Sequence, residues 1–400
     1  MKTKILFIGI TMNCAGSEKS FLSFVNTLDP ERFEIDLVLA KKEGLFLEQI
    51  PEYVNVIEME KYGDHFLLSG KNAVSNIFNT FIKKNPFTGF RVLPYFLKLI
   101  FCPKSKESTA TKMWISLMKK MPRIEKKYDV AVAYWGDRTM FYMIDRVNAD
   151  KKITWLHFDY SFPKRDNSIY EPYFNKCDAI VNVSTAVDNA LKRELPSLSD
   201  KCLVIENINS TELIEKMAKS GDTFNDGFDG KRILTVGRIA DQKGYDFAIP
   251  AFARLLRDGH KLRWYVLGGG DEDYVQYIKG IAEKEGVAKD FVFLGTTANP
   301  YRYLADCDIY AQPSRYEGKP ISVEEAKILK KPIFVCRYLS AEEQLENGLF
   351  GKISDIGEDG VYEGLSEMLK DTEKTEGYVK ALSERRFSNE YEIEKFYELI

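Results

Sequence analysis

The chain has 400 residues, of which 44% are apolar and 29% are charged, and this composition excludes a largely disordered protein. Its length exceeds what one hydrophobic core usually supports, so we expect two domains. The formal charge of −3 argues neither for nor against a nucleic-acid partner.

The cysteines and the hydropathy pattern indicate a protein of a reducing compartment. No Cys-x-x-Cys pair or histidine cluster accompanies the six scattered cysteines, which therefore predict buried thiols rather than disulfides or a zinc site. The opening "MKTKILFIGI" predicts a first β-strand and not a signal peptide, since no small-residue cleavage site follows it. No apolar run approaches the roughly 18 residues that a membrane-spanning helix needs. We therefore expect a cytoplasmic protein.

Short apolar runs alternate with helix-length segments along the whole chain. Continuous apolar strands separated in this way indicate parallel sheets covered on both faces, and two successive series indicate two doubly wound α/β domains. The strands are predicted at 4–10, 34–40, 129–134, 152–156, 178–183, 232–237, 262–268, 291–295, 308–313 and 332–336.

The predicted domains are 1–204 and 205–384, with a break near "LVIENINS" at 203–210. A C-terminal helix within 385–400 carries apolar residues at helical spacing, and we expect it to pack back on the first domain. Those residues are Ile393, Phe396, Tyr397 and Ile400.

Ligands of open parallel sheets bind beyond the carboxyl ends of the strands, so the strand-to-helix loops should carry the chemistry. The first such loop, "GITMNCAGSEKSF" at 9–21, has the small residues Ala15, Gly16 and Ser17 at the turn into a helix. Small residues there let backbone N–H groups approach an anion. The alternative is an ordinary turn with Ser17 as the helix N-cap. The loop lacks the Gly-x-Gly-x-x-Gly spacing of a dinucleotide site, which weakens a dehydrogenase interpretation.

The second loop, "TVGRIADQKGYDFAI" at 235–249, places Gly237 and Arg238 at a strand end and Lys243 at the start of a helix. A guanidinium fork and an ammonium charge on one loop suit a diphosphate. The alternative is a pair of solvated surface cations. Pro250 falls in the first turns of this helix and suggests that the helix starts late.

The third loop, "SRYEGKP" at 314–320, carries Glu317 and leads to a helix that contains Glu325. Glu317 alone is compatible with a carboxylate facing water. Ser322-x-x-Glu325 also has the spacing of a capping box, in which Glu325 would bond the N–H of Ser322. What singles these glutamates out is that all three loops occur together and in this order.

With these loops in order, residues 231–353 resemble the retaining GT-B glycosyltransferases of family 4. The resemblance rests on "VGRIADQKG", "VLGGGDED", "PSRYEGKPISVEEA" and "PIFV", and more weakly in the first half on "AGSEKS" (15–20) and "WLHFDY" (155–160). It is strongest with enzymes that build bacterial surface polysaccharides. It implies a GT-B fold, two Rossmann-like domains facing across a cleft, with the acceptor on the first domain and a nucleotide sugar on the second.

The resemblance also implies a role for each site residue. Arg238 and Lys243 would neutralise the diphosphate, Glu317 would contact the transferred sugar, and His157 would lie near the reacting centre. Glu325 would accept the ribose hydroxyls. Gly16 would close on the diphosphate from the first domain, and the remaining donor-binding residues would be Gly237, Lys319, Pro320, Ile321 and Ser322.

The resemblance implies retention of anomeric configuration without a metal or other cofactor. A double displacement needs a carboxylate beside the anomeric carbon, and the sequence offers only Asp159 as a guess, so front-face substitution is favoured. The acids at 271–273 are expected at the surface. The donor is expected to be UDP-linked.

The acceptor is expected to be a glycan or a polyprenyl-linked sugar, and no nucleic acid is expected. Residues 71–127 contain 13 Lys and Arg against Glu107 and Glu125, mixed with large apolar side chains. Such a segment suits an anionic membrane surface on the inner face of the cell, although ordinary helices with a solvated face are the alternative. Two other functions remain open: an enzyme with a soluble acceptor, and a non-catalytic GT-B partner subunit.

Overall fold

A computed structural model describes residues 2–13, 16–67, 77–83, 87–101 and 106–400. These residues form two all-parallel β-sheets, one of seven strands and one of six. The strands are β1 (Thr3–Gly9), β2 (Phe33–Leu39), β3 (Val54–Glu58), β4 (Ile124–Ala133), β5 (Val147–Leu156), β6 (Ala179–Asn182), β7 (Cys202–Val204), β8 (Lys231–Val236), β9 (Leu262–Leu267), β10 (Phe291–Gly295), β11 (Ile309–Gln312), β12 (Ile333–Cys336) and β13 (Lys352–Ser354).

Helices cover both faces of each sheet. The α-helices of the described residues are α1 (Gly16–Thr27), α2 (Asp64–Leu67), α3 (Phe87–Phe101), α4 (Lys106–Met118), α5 (Asp137–Arg146), α6 (Asn167–Phe174), α7 (Thr185–Glu194), α8 (Thr211–Met217), α9 (Tyr245–Arg257), α10 (Glu272–Lys284), α11 (Tyr301–Asp306), α12 (Ile321–Ile328), α13 (Ala341–Gln344), α14 (Glu358–Lys370), α15 (Thr372–Ser383) and α16 (Glu392–Leu399). Short 3-10 turns lie at Leu47–Gln49, Glu60–Tyr62, Pro196–Lys201, Asp241–Lys243 and Glu346–Gly348, and a π-helical turn at Phe78–Ile82.

The two sheets share one topology. The first has the strand order β3-β2-β1-β4-β5-β6-β7 and the second β10-β9-β8-β11-β12-β13. In each sheet the first strands are added toward one edge and the later strands toward the other edge. The order of addition reverses between β1 and β4 in the first sheet and between β8 and β11 in the second. This is the doubly wound arrangement that the sequence predicts. It opens a crevice at the carboxyl ends of the strands flanking the reversal.

The sequence does not predict β3, β7 and β13, and all three are edge strands. β3 reads VNVIE, while β7 and β13 have three residues each. They lie at the outer edges of the two sheets. An edge strand packs on fewer neighbours, so it needs no continuous apolar run and leaves only a weak pattern in the sequence.

The apolar strands explain why both faces of each sheet are buried. In β1, Leu6 and Ile8 pack into one hydrophobic cluster of the first sheet, and Ile5 and Phe7 pack into another. This alternation follows from the two-residue period of a strand, because successive side chains point to opposite faces. The second sheet likewise has one apolar cluster on each side.

Helix α16 packs on the first sheet although it follows the second sheet in the chain. Ile393 and Phe396 belong to the same buried cluster as β1. The Phe396 ring lies 4.9 Å from the ring of Phe24 and 6.5 Å from that of Phe7. The chain thus crosses between the domains a second time near its end, which ties them together at a point away from the cleft.

Truncation of Phe396 is therefore expected to destabilise the first domain. Phe396→Ala removes a completely buried ring and should lower the free energy of unfolding by about 3–5 kcal/mol. Thermal unfolding followed by circular dichroism measures this loss. Tyr391→Ala is the matched control, since that ring is largely exposed and its removal should cost little. Equal losses in the two variants would contradict the packing role of α16.

One local expectation from the sequence is wrong. Helix α9 begins at Tyr245 and includes Pro250, so it does not start late. Gly244 precedes it in the left-handed conformation, with φ of 69°, and this glycine ends the 3-10 turn at Asp241–Lys243. The apolar face of α9 outweighs the one backbone hydrogen bond that Pro250 removes, since seven of its side chains are buried.

The buried-thiol prediction can be compared with four of the six cysteines. Cys177, Cys307 and Cys336 are buried free thiols, and Cys202 is partly buried. Burial raises the pKa of the Cys177 thiol to about 12, so this group stays protonated and unreactive at neutral pH. Cys14 and Cys102 lie outside the described residues.

Candidate active site

A cleft cavity of about 300 Å³ lies between the two sheets. Its walls come from the loops that follow β1, β2, β4, β5 and β7 in the first domain and β8, β9, β10 and β11 in the second. Every candidate site residue predicted from the sequence lines it: Gly16, His157, Gly237, Arg238, Lys243, Glu317, Lys319, Pro320, Ile321, Ser322 and Glu325. Residues that follow four separate strands, β1, β5, β8 and β11, therefore meet at one place, as the doubly wound topology requires.

Glu317 is held by four side-chain donors. Its Oε1 atom accepts from Lys243 Nζ at 2.7 Å, Ser314 Oγ at 2.7 Å and Gln312 Nε2 at 3.0 Å. Gln242 Nε2 lies 3.2 Å from the other oxygen. Glu317 is buried, so it does not face water as the alternative interpretation required. This cage keeps the carboxylate in one orientation at the cavity wall.

The second loop brings two cations to the cavity with different environments. Lys243 is mostly buried and pairs with Glu317. Arg238 is exposed, and no described residue forms a hydrogen bond or ion pair with its guanidinium. A side chain on Gly237 would place its Cβ 2.9 Å from Lys243 Cε. The glycine therefore makes room for Lys243 to reach across the end of β8.

Glu325 does not form the capping box that its spacing with Ser322 suggested. The residue before α12 is Pro320, and no side chain caps the helix. The Ser322 hydroxyl lies 2.7 Å from the hydroxyl of Tyr310. The Glu325 carboxylate points across the cleft, where it forms an ion pair with Lys19 of α1 and accepts from the Tyr301 hydroxyl at 3.1 Å. Glu325 therefore contacts Lys19 and Tyr301, which are distant in sequence, and not the N–H of Ser322.

Ser17 is likewise not an N-cap, because α1 already begins at Gly16. The Ser17 hydroxyl donates to the carboxylate of Glu18 at 2.7 Å, and burial raises the pKa of that carboxyl. Gly16 is exposed at the cavity, and a Cβ there would meet no atom within 4 Å. Ala15, the other small residue of this turn, lies outside the described residues.

His157 follows β5 and is neutral at physiological pH. Burial lowers the pKa of its imidazole to about 3, weakly opposed by the Asn207 side chain and the Tyr134 carbonyl. The ring lies 4.7 Å from the ring of Tyr134. Its Nε2 atom is buried and has no hydrogen-bond partner among the described residues. A neutral imidazole at this wall can exchange a hydrogen bond with a ligand but cannot supply a positive charge.

Asp159 does not line the cavity, so its suggested role as a nucleophile is wrong. One of its carboxylate oxygens accepts from the backbone N–H and the hydroxyl of Ser161, at 2.8 and 2.6 Å. This local turn holds the carboxylate away from the cleft.

The domains touch closely around the loop that carries Glu317. A Cβ on Gly318 would lie 2.5 Å from the carbonyl oxygen of His157, so backbone meets backbone there. Lys319 Nζ lies 2.6 Å from Glu206, and Asn207 Nδ2 lies 3.5 Å from the Lys319 carbonyl. The two domains are thus in direct contact beside the cavity.

A second interdomain contact lies outside the cavity. Glu343, in α13, accepts from the backbone N–H groups of Thr185 and Ala186 at 3.1 and 2.8 Å. These groups are at the N-terminus of α7, where unpaired donors and the helix dipole favour a carboxylate. One domain therefore caps a helix of the other.

Sequence reasoning missed several polar residues of the site: Lys19, Asn207, Gln242, Gln312 and Ser314. Lys19 lies in "AGSEKS", one turn into α1, and only the tertiary pairing with Glu325 distinguishes it from a surface lysine. The sequence shows the Ser314-x-x-Glu317 spacing, but it does not predict the hydrogen bond between these two side chains. Gln312 is the last residue of β11, and a polar residue ending a buried strand is a usable signal.

Metal-binding and membrane-spanning features can be assessed for the described residues only. Within the described ranges, no group of three or more His, Cys, Asp or Glu side chains is arranged to hold a metal ion. Asp271, Glu272 and Asp273 are exposed, and Asp271 caps α10 by accepting from the N–H of Tyr274. The same part of the chain contains no helix long and apolar enough to cross a bilayer.

Comparison with known proteins finds similarity to glycosyltransferases. Residues 224–385 match the model of the family "Glycosyl transferases group 1". This segment contains the second sheet with Arg238, Lys243, Glu317 and Glu325. The second domain is therefore similar to group 1 glycosyltransferases.

Two curated relatives extend the similarity. An uncharacterized glycosyltransferase of Haemophilus influenzae is 23% identical over 409 residues, which covers 100% of this chain and 98% of the relative. A Campylobacter jejuni N-acetylgalactosaminyltransferase, whose name specifies a diphospho-undecaprenol-linked acceptor, is 27% identical over 209 residues, covering 51% of this chain and 54% of the relative.

Solved structures show the same architecture over the whole chain. HepE from Anabaena, in complex with UDP-glucose, has a TM-score of 0.69 at 16% identity, covering 100% of this chain and 99% of HepE. WaaG, a glycosyltransferase involved in lipopolysaccharide biosynthesis, has a TM-score of 0.62 at 12% identity, covering 99% of each chain. The chain has the GT-B fold.

Proposed function

We propose that this GT-B protein is a retaining, metal-independent glycosyltransferase. It moves a hexose-type sugar from a UDP-linked donor to a glycan or lipid-linked acceptor in the synthesis of a bacterial surface polysaccharide. The observation that carries the proposal is the convergence of Arg238, Lys243, Glu317 and Glu325 on one interdomain cavity. The group 1 match supports the reaction class. HepE in complex with UDP-glucose supports the donor, and the Campylobacter relative supports the acceptor class.

The donor diphosphate would lie beside Arg238 and Lys243. The guanidinium of Arg238 forms no hydrogen bond or ion pair with any described residue, so it is available for a bidentate contact with phosphate oxygens. Lys243 uses one of its three N–H donors on Glu317. Gly16 would meet the diphosphate from the first domain, since the N-terminus of α1 favours an anion. Charge that develops on the departing diphosphate is then stabilised without a metal.

The two glutamates would hold the two ends of the donor. Glu317, fixed by its four donors, would accept hydroxyls of the transferred sugar, and Glu325 would accept hydroxyls of the ribose. Helix α12 starts between them without a side-chain cap, so its first N–H groups remain available to phosphate and sugar oxygens. The backbone N–H groups of Lys319, Ile321 and Ser322 would supply these donors, since Pro320 has no N–H.

Retention would follow front-face substitution, in which the leaving phosphate takes the proton of the attacking acceptor hydroxyl. Asp159, the carboxylate suggested for a double displacement, lies outside the cavity. His157 is neutral and would bind the donor through a hydrogen bond, because its buried Nε2 atom has no protein partner in the described ranges.

The test is release of nucleoside diphosphate from a panel of UDP- and GDP-sugars without acceptor. We expect slow hydrolysis of one UDP-sugar, abolished in Glu317→Ala and Lys243→Ala. Glu283→Gln is the control, since this exposed glutamate lies on α10 away from the cavity. Nuclear magnetic resonance of the new anomeric proton then checks retention. If no nucleotide binds, the non-catalytic partner subunit is the better account.

The proposed contact with the membrane rests on helix α3, within the basic segment 71–127. Residues 71–76, 84–86 and 102–105 of that segment lie outside the described residues. Helix α3 buries Val92 and exposes a row of large apolar side chains with Arg91 and Lys98 beside them. The exposed apolar residues are Phe87, Phe90, Leu93, Leu97, Ile100 and Phe101. An apolar face flanked by cations suits the surface of an anionic bilayer and would bring the first domain to a lipid-linked acceptor.

Removing two of these side chains should weaken membrane binding. Phe90→Ser with Ile100→Ser removes residues that are 75% and 70% exposed, so the fold should tolerate the change. Each apolar side chain contributes about 1.5–3 kcal/mol when buried, so partitioning onto vesicles with anionic lipid should fall at least about tenfold. Sedimentation with vesicles measures it. Tyr277→Ser, an exposed aromatic change on α10, should leave partitioning unchanged, and equal partitioning of all three proteins would contradict the proposal.

A further inference from the structure

Lys19 links the two domains inside the cleft. It belongs to α1 of the first domain and forms an ion pair with Glu325 of α12 in the second. Its Nζ atom also lies 4.2 Å from the centre of the Tyr301 ring. The Tyr301 hydroxyl donates to the same carboxylate at 3.1 Å. Three side chains from three helices thus meet around one buried carboxylate.

Because the Glu325 carboxylate and the Lys19 ammonium lie in a buried site, each needs the other as an ion-pair partner. The Glu325 residue is 1% exposed, and an unpaired carboxylate at such a site would be strongly disfavoured. Burial opposes the charge on Lys19, but the neighbouring Glu325 and Tyr301 raise the pKa of Lys19 above its usual value. Lys19 therefore stays charged at neutral pH, in direct contact with the Glu325 carboxylate.

The two oxygens of the carboxylate have different surroundings. Lys19 and Tyr301 both contact Oε1. No described residue donates a hydrogen bond to Oε2 of Glu325, and the residue lines the cavity. Lys19 itself also lines the cavity. In this geometry Oε1 of Glu325 is held by two protein side chains, and Oε2 remains free to accept a hydrogen bond from a ligand.

We infer that Lys19 is a positioning residue for the ribose of the nucleotide: it holds the Glu325 carboxylate in place through Oε1 and leaves Oε2 open to the ribose hydroxyls. This inference rests on the proposed function and assigns part of the donor site to the first domain. The ribose is then recognised fully only when the domains are closed. Donor binding and domain closure are then coupled, because Lys19 joins the two domains and also positions the carboxylate that binds the ribose.

The test compares binding of UDP with that of 2′-deoxy-UDP and 3′-deoxy-UDP by calorimetry. A hydrogen bond to a charged group makes the intact ribose bind about tenfold more tightly or better than a deoxyribose. In Lys19→Met this preference should fall to about twofold or less, because the carboxylate loses the contact that fixes its orientation. Lys19→Arg should retain most of the preference. Tyr301→Phe, a milder change at the same oxygen, should reduce it partly.

Glu343→Gln is the matched control for domain closure, because it weakens an interdomain contact away from the cavity. It should bind all three nucleotides less tightly and keep most of the tenfold ratio. A tenfold ratio in Lys19→Met, or an equal loss of the ratio in Glu343→Gln, would overturn the inference. A wild-type protein that binds UDP without a ribose preference would also overturn it. A wild-type protein that binds no UDP would overturn the proposed function, and this inference with it.

Discussion

Lys243→Met is expected to lower the turnover of the donor by about 100- to 1,000-fold, the usual effect of removing one group that stabilises developing negative charge. Lys243 lies 2.7 Å from Glu317 and is mostly buried, so its charge acts in a site from which much of the water is excluded. We expect UDP binding to weaken more than uridine binding, because the lost charge faces the diphosphate. Steady-state kinetics and calorimetry measure the two effects.

Lys243→Met also leaves the Glu317 carboxylate without its cation, so its effect on stability must be distinguished from its effect on turnover. Three neutral donors remain, from Ser314, Gln312 and Gln242, so the free energy of unfolding should fall by only about 1–3 kcal/mol. Adding Glu317→Gln should restore much of that stability, because the amide carries no charge to be paired. Turnover should stay low in the double variant. Unchanged turnover in Lys243→Met alone would contradict the role of Lys243 at the diphosphate.

Gly318→Ala is expected to reduce kcat/KM by about 100-fold without unfolding either domain. The added Cβ would lie 2.5 Å from the His157 carbonyl oxygen and 2.8 Å from its carbon, and these backbone atoms cannot move aside within one domain. The domains must separate instead. A displacement of about 1 Å at a reacting centre costs roughly two orders of magnitude in rate.

Small-angle scattering and donor kinetics together test this expectation. The variant should show a larger radius of gyration and a weaker response to added UDP than the wild type. Gly280→Ala is the matched control, because no atom lies within 4 Å of its added Cβ and the site is an exposed position inside α10. That change should stabilise the protein by about 0.5–1 kcal/mol and leave the kinetics unaltered. Wild-type kinetics in Gly318→Ala would show that the cleft works without this close contact.

The sequence by itself determines the class of fold and the general place of the site. Ten strands are visible in it because buried parallel strands must be continuously apolar, and the ligand edge follows because parallel strands share one carboxyl end. The residues that meet there, such as Arg238 and Glu317, were identified by resemblance to known motifs. The edge strands β3, β7 and β13 were not visible, because they need too little apolar sequence to stand out.

Only the tertiary structure decides what the side chains at this edge contact. Ser17 and the Ser322–Glu325 pair have the spacing of helix caps, yet neither caps its helix, since partners from other elements compete with the local hydrogen bond. Lys19 becomes a partner of Glu325 only when α1 and α12 face each other across the cleft. Such contacts join residues about 300 positions apart, and no local pattern encodes them. They depend on how two separately folded sheets meet.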